Sequence, residues 1–323
     1  MEEELRAAFA AGELAGLHSV LLLIDGQVEA EVHFPGADEA WGPPVDRSNP
    51  GPDTLHDLRS VSKSVVGLLY GIAMDHDHVP PPEAPLYPLF PEYADLAEDP
   101  DRQAITVQHL LTMSMGIEWN EDLPYSDPNN SEIAMELAED RYRYVLSRPV
   151  IEPPGQRWHY CGGATALLAR LIEKGSGQTI AAFARQHLFA PLGITSWHWA
   201  QGADGVHAAA SGLRLTARDL ARIGELVLAN GIAGDLQVVP EGWIEECLTP
   251  QLSLGELDYG YQWYIAPNWV AGFGNGGQRL SVNAAENLVL VVFAGNYNAP
   301  DAWELPVKVA TDFVTPLVAA RRR

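Results

Sequence analysis

Apolar and polar positions follow two different periods along the chain, and the changes of period divide it. Val20-Leu21-Leu22-Leu23-Ile24 is a continuous apolar run of strand length, Asp25-Gly26 is a hairpin signal, and Val28-Glu29-Ala30-Glu31-Val32-His33-Phe34 alternates as a second strand. Before them, residues 2–16 are Ala/Glu-rich and read as a helix ending near Gly16. Residues 35–53 hold many Pro, Gly and Asp and read as a loop. Apolar residues then recur at Val65, Val66, Leu68, Leu69, Ile72 and Ala73, a helical period dense enough to predict a buried helix running to about Asp75.

From residue 80 to 200 the signals are mostly helical, broken by Pro and Gly. They predict a helix capped by Thr106, an amphipathic helix over 131–146 and an apolar helix over Ala164–Gly175. Thr216 starts a further helix that stops at Asn230-Gly231, and residues 241–248 form another. The pattern then turns to strands at Gly260–Ile265, Arg279–Asn283 and Leu288–Ala294, with a last helix over about 302–320. Short links between these strands predict antiparallel pairing. The economical fold is α+β: an antiparallel sheet built from both chain ends and flanked by helices. Residues 1–79 and 206–323 form the lobe with the sheet, residues 80–205 a mainly helical inserted lobe, and the site is expected in the cleft between them.

Composition narrows the function. The 323 residues carry 20 Lys and Arg against 43 Asp and Glu, a net charge of −23. So acidic a chain repels phosphate backbones and anionic lipid, which argues against nucleic-acid and membrane-surface roles. Cys161 and Cys247 are too few for a disulfide framework and read as reduced thiols. No stretch reaches transmembrane length. Met1-Glu2-Glu3-Glu4-Leu5-Arg6 lacks the basic and apolar regions of a signal peptide, so a cytoplasmic protein is expected.

The candidate chemistry lies in Leu58-Arg59-Ser60-Val61-Ser62-Lys63. Ser60 stands where a serine caps the buried helix, and Lys63, three residues on, shares its face. In the first turn of a buried helix, both the dipole and desolvation press the lysine toward its neutral form. A neutral amine beside a hydroxyl is a general base, and the Ser60 N–H can meet a developing oxyanion. Asp75-His76-Asp77-His78 contains a metal-like H-x-H, but it sits at a helix end with no completing cluster, and no metal is expected. Glu118-Trp119-Asn120-Glu121-Asp122 reads as a solvated turn.

Three later stretches join S-x-x-K to make a resemblance. Residues Leu55 to Ser64, Ile105-Thr106-Val107-Gln108-His109-Leu110-Leu111-Thr112-Met113 with Gly116, and Gly212 to Arg222 resemble segments of the serine β-lactamase and penicillin-binding-protein superfamily. The chain looks closest to the branch of class C β-lactamases, serine esterases and 6-aminohexanoate-dimer hydrolases, from Leu22 to about Tyr297. The resemblance implies that Tyr160 is a second base or proton shuttle, and a phenol near an ammonium is expected to have a lowered pKa. The family's Tyr-x-Asn stands here as Tyr160-Cys161-Gly162, so its amide is missing. Its Lys-Thr-Gly or His-x-Gly stands as Asn275-Gly276-Gly277 before Gln278, so the cation that grips a substrate carboxylate is missing too. The glycines let substrate approach the strand backbone, and the Gln278 N–H is expected to complete the oxyanion hole with that of Ser60.

What is kept is catalytic and what is lost is recognition. The expectation is therefore a cofactor-free serine hydrolase that forms an acyl-enzyme with a small-molecule ester or short amide. β-Lactamase or D-alanyl peptidase activity, or a non-catalytic ligand-binding relative, are the alternatives.

Overall fold

The computed structural model describes residues 1–322. Eight strands form one antiparallel sheet in the order Leu252–Ser253, Asp258–Tyr259, Tyr264–Ala266, Trp269–Gly274, Gln278–Asn283, Leu288–Ala294, Leu17–Ile24, Gln27–His33. The two chain ends meet where Leu17–Ile24 pairs with Leu288–Ala294, with Leu21 opposite Val291 and Leu22 opposite Leu290. The fold is α+β, as expected from the pattern.

Both strands at this join are buried throughout and largely apolar because both of their faces are covered. Leu21, Leu23, Val289, Val291 and Phe293 enter a core shared with the helices Val61–Asp75, Gly162–Ser176 and Ala217–Leu228. Val20, Leu22, Ile24, Leu290 and Val292 enter a second core with the helix Glu2–Ala10 and the helices at the chain's end. The helix that follows Ser60 is buried from Val61 through Ala73. It packs so closely on Trp243 that a Cβ at Gly71 would lie 2.0 Å from the indole ring. Cys161 and Cys247 are buried and unpaired.

Several elements differ from the pattern's prediction. The expected helix over 131–146 is two helices, Ser131–Glu136 and Arg141–Leu146. Asp140 stops continuity by capping the second, accepting from the N–H groups of Tyr142 and Arg143, and the apolar-looking Leu137 is 72% exposed. The first helix ends at Ala10 rather than near Gly16. Trp269–Gly274 is an additional strand, hidden in the sequence by Gly272 and Gly274, and of the expected strand at 260–265 only Tyr264 and Ile265 are in a strand, residues 260–263 being the turn between Asp258–Tyr259 and Tyr264–Ala266.

Candidate active site

A short ladder delivers Ser60. His56–Asp57 pairs with Leu213–Leu215, and the Leu58 N–H continues it by donating to Leu213 O at 2.9 Å. The chain then turns through Arg59, whose φ of +48° lies in the left-handed region. That conformation costs a non-glycine residue about 1–3 kcal/mol and persists only when its surroundings impose it. Here they do: the Arg59 guanidinium bonds Glu39, lies 3.3 Å from Asp57 Oδ2 and stacks 4.5 Å from the Tyr297 ring centroid. The consequence is that Ser60 emerges at the mouth of a cavity of about 430 Å3. Ser60 occupies the N-cap position but makes no capping bond, because its own backbone is already helical. Its hydroxyl accepts from Lys63 Nζ at 3.0 Å instead.

Lys63 is 2% exposed and has three acceptors for its three protons: Ser60 Oγ at 3.0 Å, Glu132 Oε2 at 3.3 Å and Ala210 O at 3.0 Å. Burial alone lowers its pKa, but Glu132, Tyr160 and Glu121 outweigh it and hold the ammonium well above the usual lysine value. This corrects the expectation of a neutral lysine. Desolvation does act on the lysine as expected, but the carboxylate of Glu132, distant in sequence, faces it and prevails.

That carboxylate stands where the Tyr-x-Asn amide is missing. A Cβ on Gly162 would lie 2.3 Å from Glu132 Oε2 and 3.0 Å from Glu121 Oε1. The glycine is therefore the space in which two carboxyl groups meet. Asn130 sets Glu132 in place, accepting from the Glu132 N–H at 3.0 Å and donating to Leu123 O at 2.7 Å. Glu121 accepts from the Gly162 N–H, from Trp119 Nε1 at 2.6 Å and from the Tyr125 hydroxyl at 2.8 Å. Burial and the neighbouring Glu132 push the Glu121 carboxyl up to about 7, against Lys63 and its N–H donors. Burial also raises Glu132, but Lys63 and hydrogen bonds from Ser211 and Glu121 outweigh this and hold it below the ordinary value. With Glu121 raised and Glu132 lowered, a proton held by the pair favours Glu121. The segment read as a solvated turn is exposed at Glu118, Asn120 and Asp122, but Trp119 is buried, and Glu121 is half-buried and turned toward Gly162 and Lys63.

Tyr160 faces both Ser60 and Lys63, with its ring centroid 4.8 Å from Nζ. Its phenol is raised to about 12, chiefly by burial and against the pull of Lys63, with Glu121 and Glu132 raising it further. The expected lowering is therefore reversed: the two carboxyl groups and the buried setting outweigh the ammonium.

Of the Gly-rich segment, Asn275 lines the cavity with Ser60, and Gln278 does not. Gln278 pairs with Gly274 in the strand, and its side chain bonds the Ala294 N–H and the carbonyls of Asn275 and Ala294. Gly276 and Gly277, at φ +89° and +96°, form the turn between Asn275 and Gln278. A Cβ on Gly274 would lie 2.5 Å from Leu58 O, so the strand end abuts the nucleophile turn. Asn275 Oδ1 accepts from the Asn298 N–H at 3.0 Å, and Asn298 Oδ1 from the Tyr125 N–H at 3.0 Å, so a hydrogen-bonded rim runs over the mouth to the loop of Glu121.

The 212–222 segment serves the site indirectly. Just before it, Ala210 O holds Lys63 and Ser211 lines the cavity, and Leu213–Leu215 braces the ladder ahead of Ser60. His76 and His78 close the nucleophile helix, donating their N–H groups to Ile72 and Ala73 carbonyls at 3.2 and 2.8 Å. Among the described residues, no group of three or more His, Cys, Asp or Glu side chains is placed to hold a metal ion, and no helix is long and apolar enough to cross a membrane.

The chain is similar to several known proteins. The chain is 28% identical over 280 residues to a 6-aminohexanoate-dimer hydrolase of Paenarthrobacter ureafaciens, covering 76% of this chain and 67% of that protein. It is 32% identical over 106 residues to a lovastatin esterase of Penicillium rubens, a match covering 30% of this chain and 25% of that protein. The fold is similar to that of an octameric penicillin-binding protein homologue from Pyrococcus abyssi, with a TM-score of 0.73 at 19% identity, covering 99% of this chain and 78% of that one. The beta-lactamase family model matches residues 6–305. With that span and the Ser60–Lys63–Tyr160 cluster at its centre, the chain belongs to the beta-lactamase family.

Proposed function

We propose that this hydrolase of the beta-lactamase fold acts on small neutral esters or short amides through an acyl-enzyme on Ser60. The observation that carries the reading is the Ser60 hydroxyl held at 3.0 Å by a buried Lys63, faced by Tyr160 and open to the cavity. Ser60 Oγ attacks the carbonyl carbon while its proton leaves through Lys63. The N–H groups of Ser60 and Asn275 have no acceptor among the described residues and line the cavity together, so they are the donors for the oxyanion, with Asn275 in the place expected of Gln278. Tyr160 protonates the leaving group, and water resolves the acyl-enzyme by the reverse proton path.

The cavity wall argues for neutral substrates over the carboxylates of penicillins and D-alanyl peptides. Among the described residues its one lining cation, Arg59, is engaged by Glu39 and Asp57, while Glu39, Glu132 and Glu136 all line the same wall. A hydrolase of the 6-aminohexanoate dimer and an esterase are among the proteins this chain is similar to, which supports the reading.

The test is hydrolysis of p-nitrophenyl acetate and butyrate by wild type and Ser60→Ala, with fluorophosphonate labelling of both. Turnover and labelling are expected in the wild type and absent in the mutant. Undiminished hydrolysis by Ser60→Ala would overturn the assignment.

A further inference from the structure

We propose that Glu132 is the terminal acceptor of the Ser60 proton, reached through Lys63, and that Glu121 acts with it as the second half of an acid–carboxylate pair. The inference rests on the acyl-transfer reading above and goes beyond it in saying where the proton goes.

Lys63 stands between Ser60 and Glu132. All three of its protons are spent on acceptors in the resting site, so it has no lone pair with which to take a fourth. Tyr160 is no better placed, since its phenol is raised and holds its proton at neutral pH. The remaining base in contact with this cluster is Glu132, an unprotonated carboxylate 3.3 Å from Nζ. It reaches Ser60 only through the lysine.

The step balances as a relay. As Ser60 Oγ forms its bond to the carbonyl carbon, its O–H proton passes to Lys63 Nζ, and Lys63 gives one of its own protons to Glu132 Oε2. Lys63 begins and ends as an ammonium, Glu132 becomes a carboxylic acid, and the negative charge moves from Glu132 to the tetrahedral oxyanion. When the bond to the leaving group breaks, Tyr160 or Lys63 protonates the departing atom and Glu132 returns its proton to the cluster. The buried site then needs one mobile negative charge and never an isolated one, which is the costly condition in low dielectric.

Glu121 sets the strength of that acceptor. A proton held there and donated to Glu132 keeps the pair at a single negative charge, and the Gly162 N–H, Trp119 indole and Tyr125 hydroxyl hold the carboxyl in place. The groups that bear on Glu132 are Lys63, Glu121, Ser211, Tyr125, Tyr160 and, one turn along its own helix, Glu136. Gly162 makes the arrangement possible, since any side chain there would displace both carboxyl groups.

The experiment compares the pH profile of kcat/KM for p-nitrophenyl butyrate in the wild type, Glu132→Gln and Glu132→Asp, with Ser60→Ala as the blank. In Glu132→Gln, kcat at pH 7 is expected to fall by about 100-fold or more, the usual worth of a positioned base. The acid limb is expected to move to higher pH, because Lys63 must then lose a proton to solvent before it can act. Glu132→Asp keeps the charge one methylene further back. It is expected to lose about tenfold in kcat while keeping the wild-type limb, and it carries the test should Glu132→Gln not fold. An active wild type and inert Ser60→Ala, with both Glu132 variants within about threefold of wild type and an unmoved limb, would overturn the relay and leave the serine mechanism standing. A drop in kcat with an unmoved limb in Glu132→Gln would reduce Glu132 to a structural part and also overturn it. An inert wild type would overturn both readings.

Discussion

Lys63 Nζ lies 3.3 Å from Glu132 Oε2 with both side chains 2% exposed, and the two residues come from segments 69 positions apart. A buried ion pair of this kind does not by itself stabilise a fold, because desolvation offsets the attraction. Its value here is in fixing charge. The pair keeps an ammonium against the nucleophile and supplies the carboxylate that S-x-x-K does not contain.

The closeness of Gly162 to the carboxyl groups predicts intolerance of even a methyl. With a Cβ 2.3 Å from Glu132 Oε2, Gly162→Ala should destabilise the protein by about 1–3 kcal/mol, as overpacking does, and lower turnover with it. Urea denaturation measures the first and ester hydrolysis the second. An unchanged midpoint would show that the wall yields and that the pair is not tightly packed.

Glu121 predicts a pH dependence of stability. Its folded-state value of about 7 stands above the ordinary 4.5, so folding favours its protonated form. The sign follows: its stabilising contribution is complete below about pH 4.5 and is lost as the pH rises through about 7. Glu136, at about 7, and Asp57, at about 6, lose theirs over the same range, so the comparison must be between proteins. Glu121→Gln should lose less stability than wild type between about pH 5 and pH 8 in parallel denaturant titrations. Equal losses would mean that Glu121 titrates alike folded and unfolded.

Gln262 ties the helices to the sheet and should be sensitive to loss of its amide. Buried at φ +67°, it donates to Leu110 O and Leu111 O at 3.0 Å and accepts from Thr165 Oγ1 at 2.8 Å, while its carbonyl accepts from Ser64 Oγ at 2.7 Å. Gln262→Leu leaves the side-chain partners unpaired and should cost about 3 kcal/mol. Thermal denaturation checks it, and a shift within error would mean that water replaces the amide.

The cavity predicts selection by charge. A neutral butyrate ester should exceed the matching hemisuccinate ester in kcat/KM by about tenfold or more, since the only lining cation among the described residues is already bound to carboxylates. Asn275→Lys, which adds a free cation at the rim, should narrow that ratio. A wild type indifferent to the extra carboxylate would dismiss the acidic wall as a determinant.

How much of this was legible in the sequence depended on separation along the chain. Ser60 and Lys63 lie within one helical turn, so spacing alone put them on one face. The sheet's halves were legible because strands buried on both faces must be apolar at every position, as Leu17–Ile24 and Leu288–Ala294 largely are. Glu121 and Glu132 were not legible. In a chain with 43 acidic residues two more carry no signal, and only folding brings them to Lys63. The trace they left was negative: Gly162 where an amide was expected, leaving a buried lysine with no counter-charge. The direction of the Lys63 and Tyr160 shifts was misread for that reason. The break at Asp140 was missed because helical periodicity outlived the helix through Leu137.

Gly162 also constrains how this site could have arisen and how it could change. An asparagine introduced there alone collides with two carboxyl groups, and removing Glu132 alone strips the buried ammonium of its counter-ion. Each single step costs turnover. Positions 121, 132 and 162 therefore behave as one epistatic unit, and a laboratory lineage seeking the amide version of this site would have to change them together or pass through variants of much reduced activity.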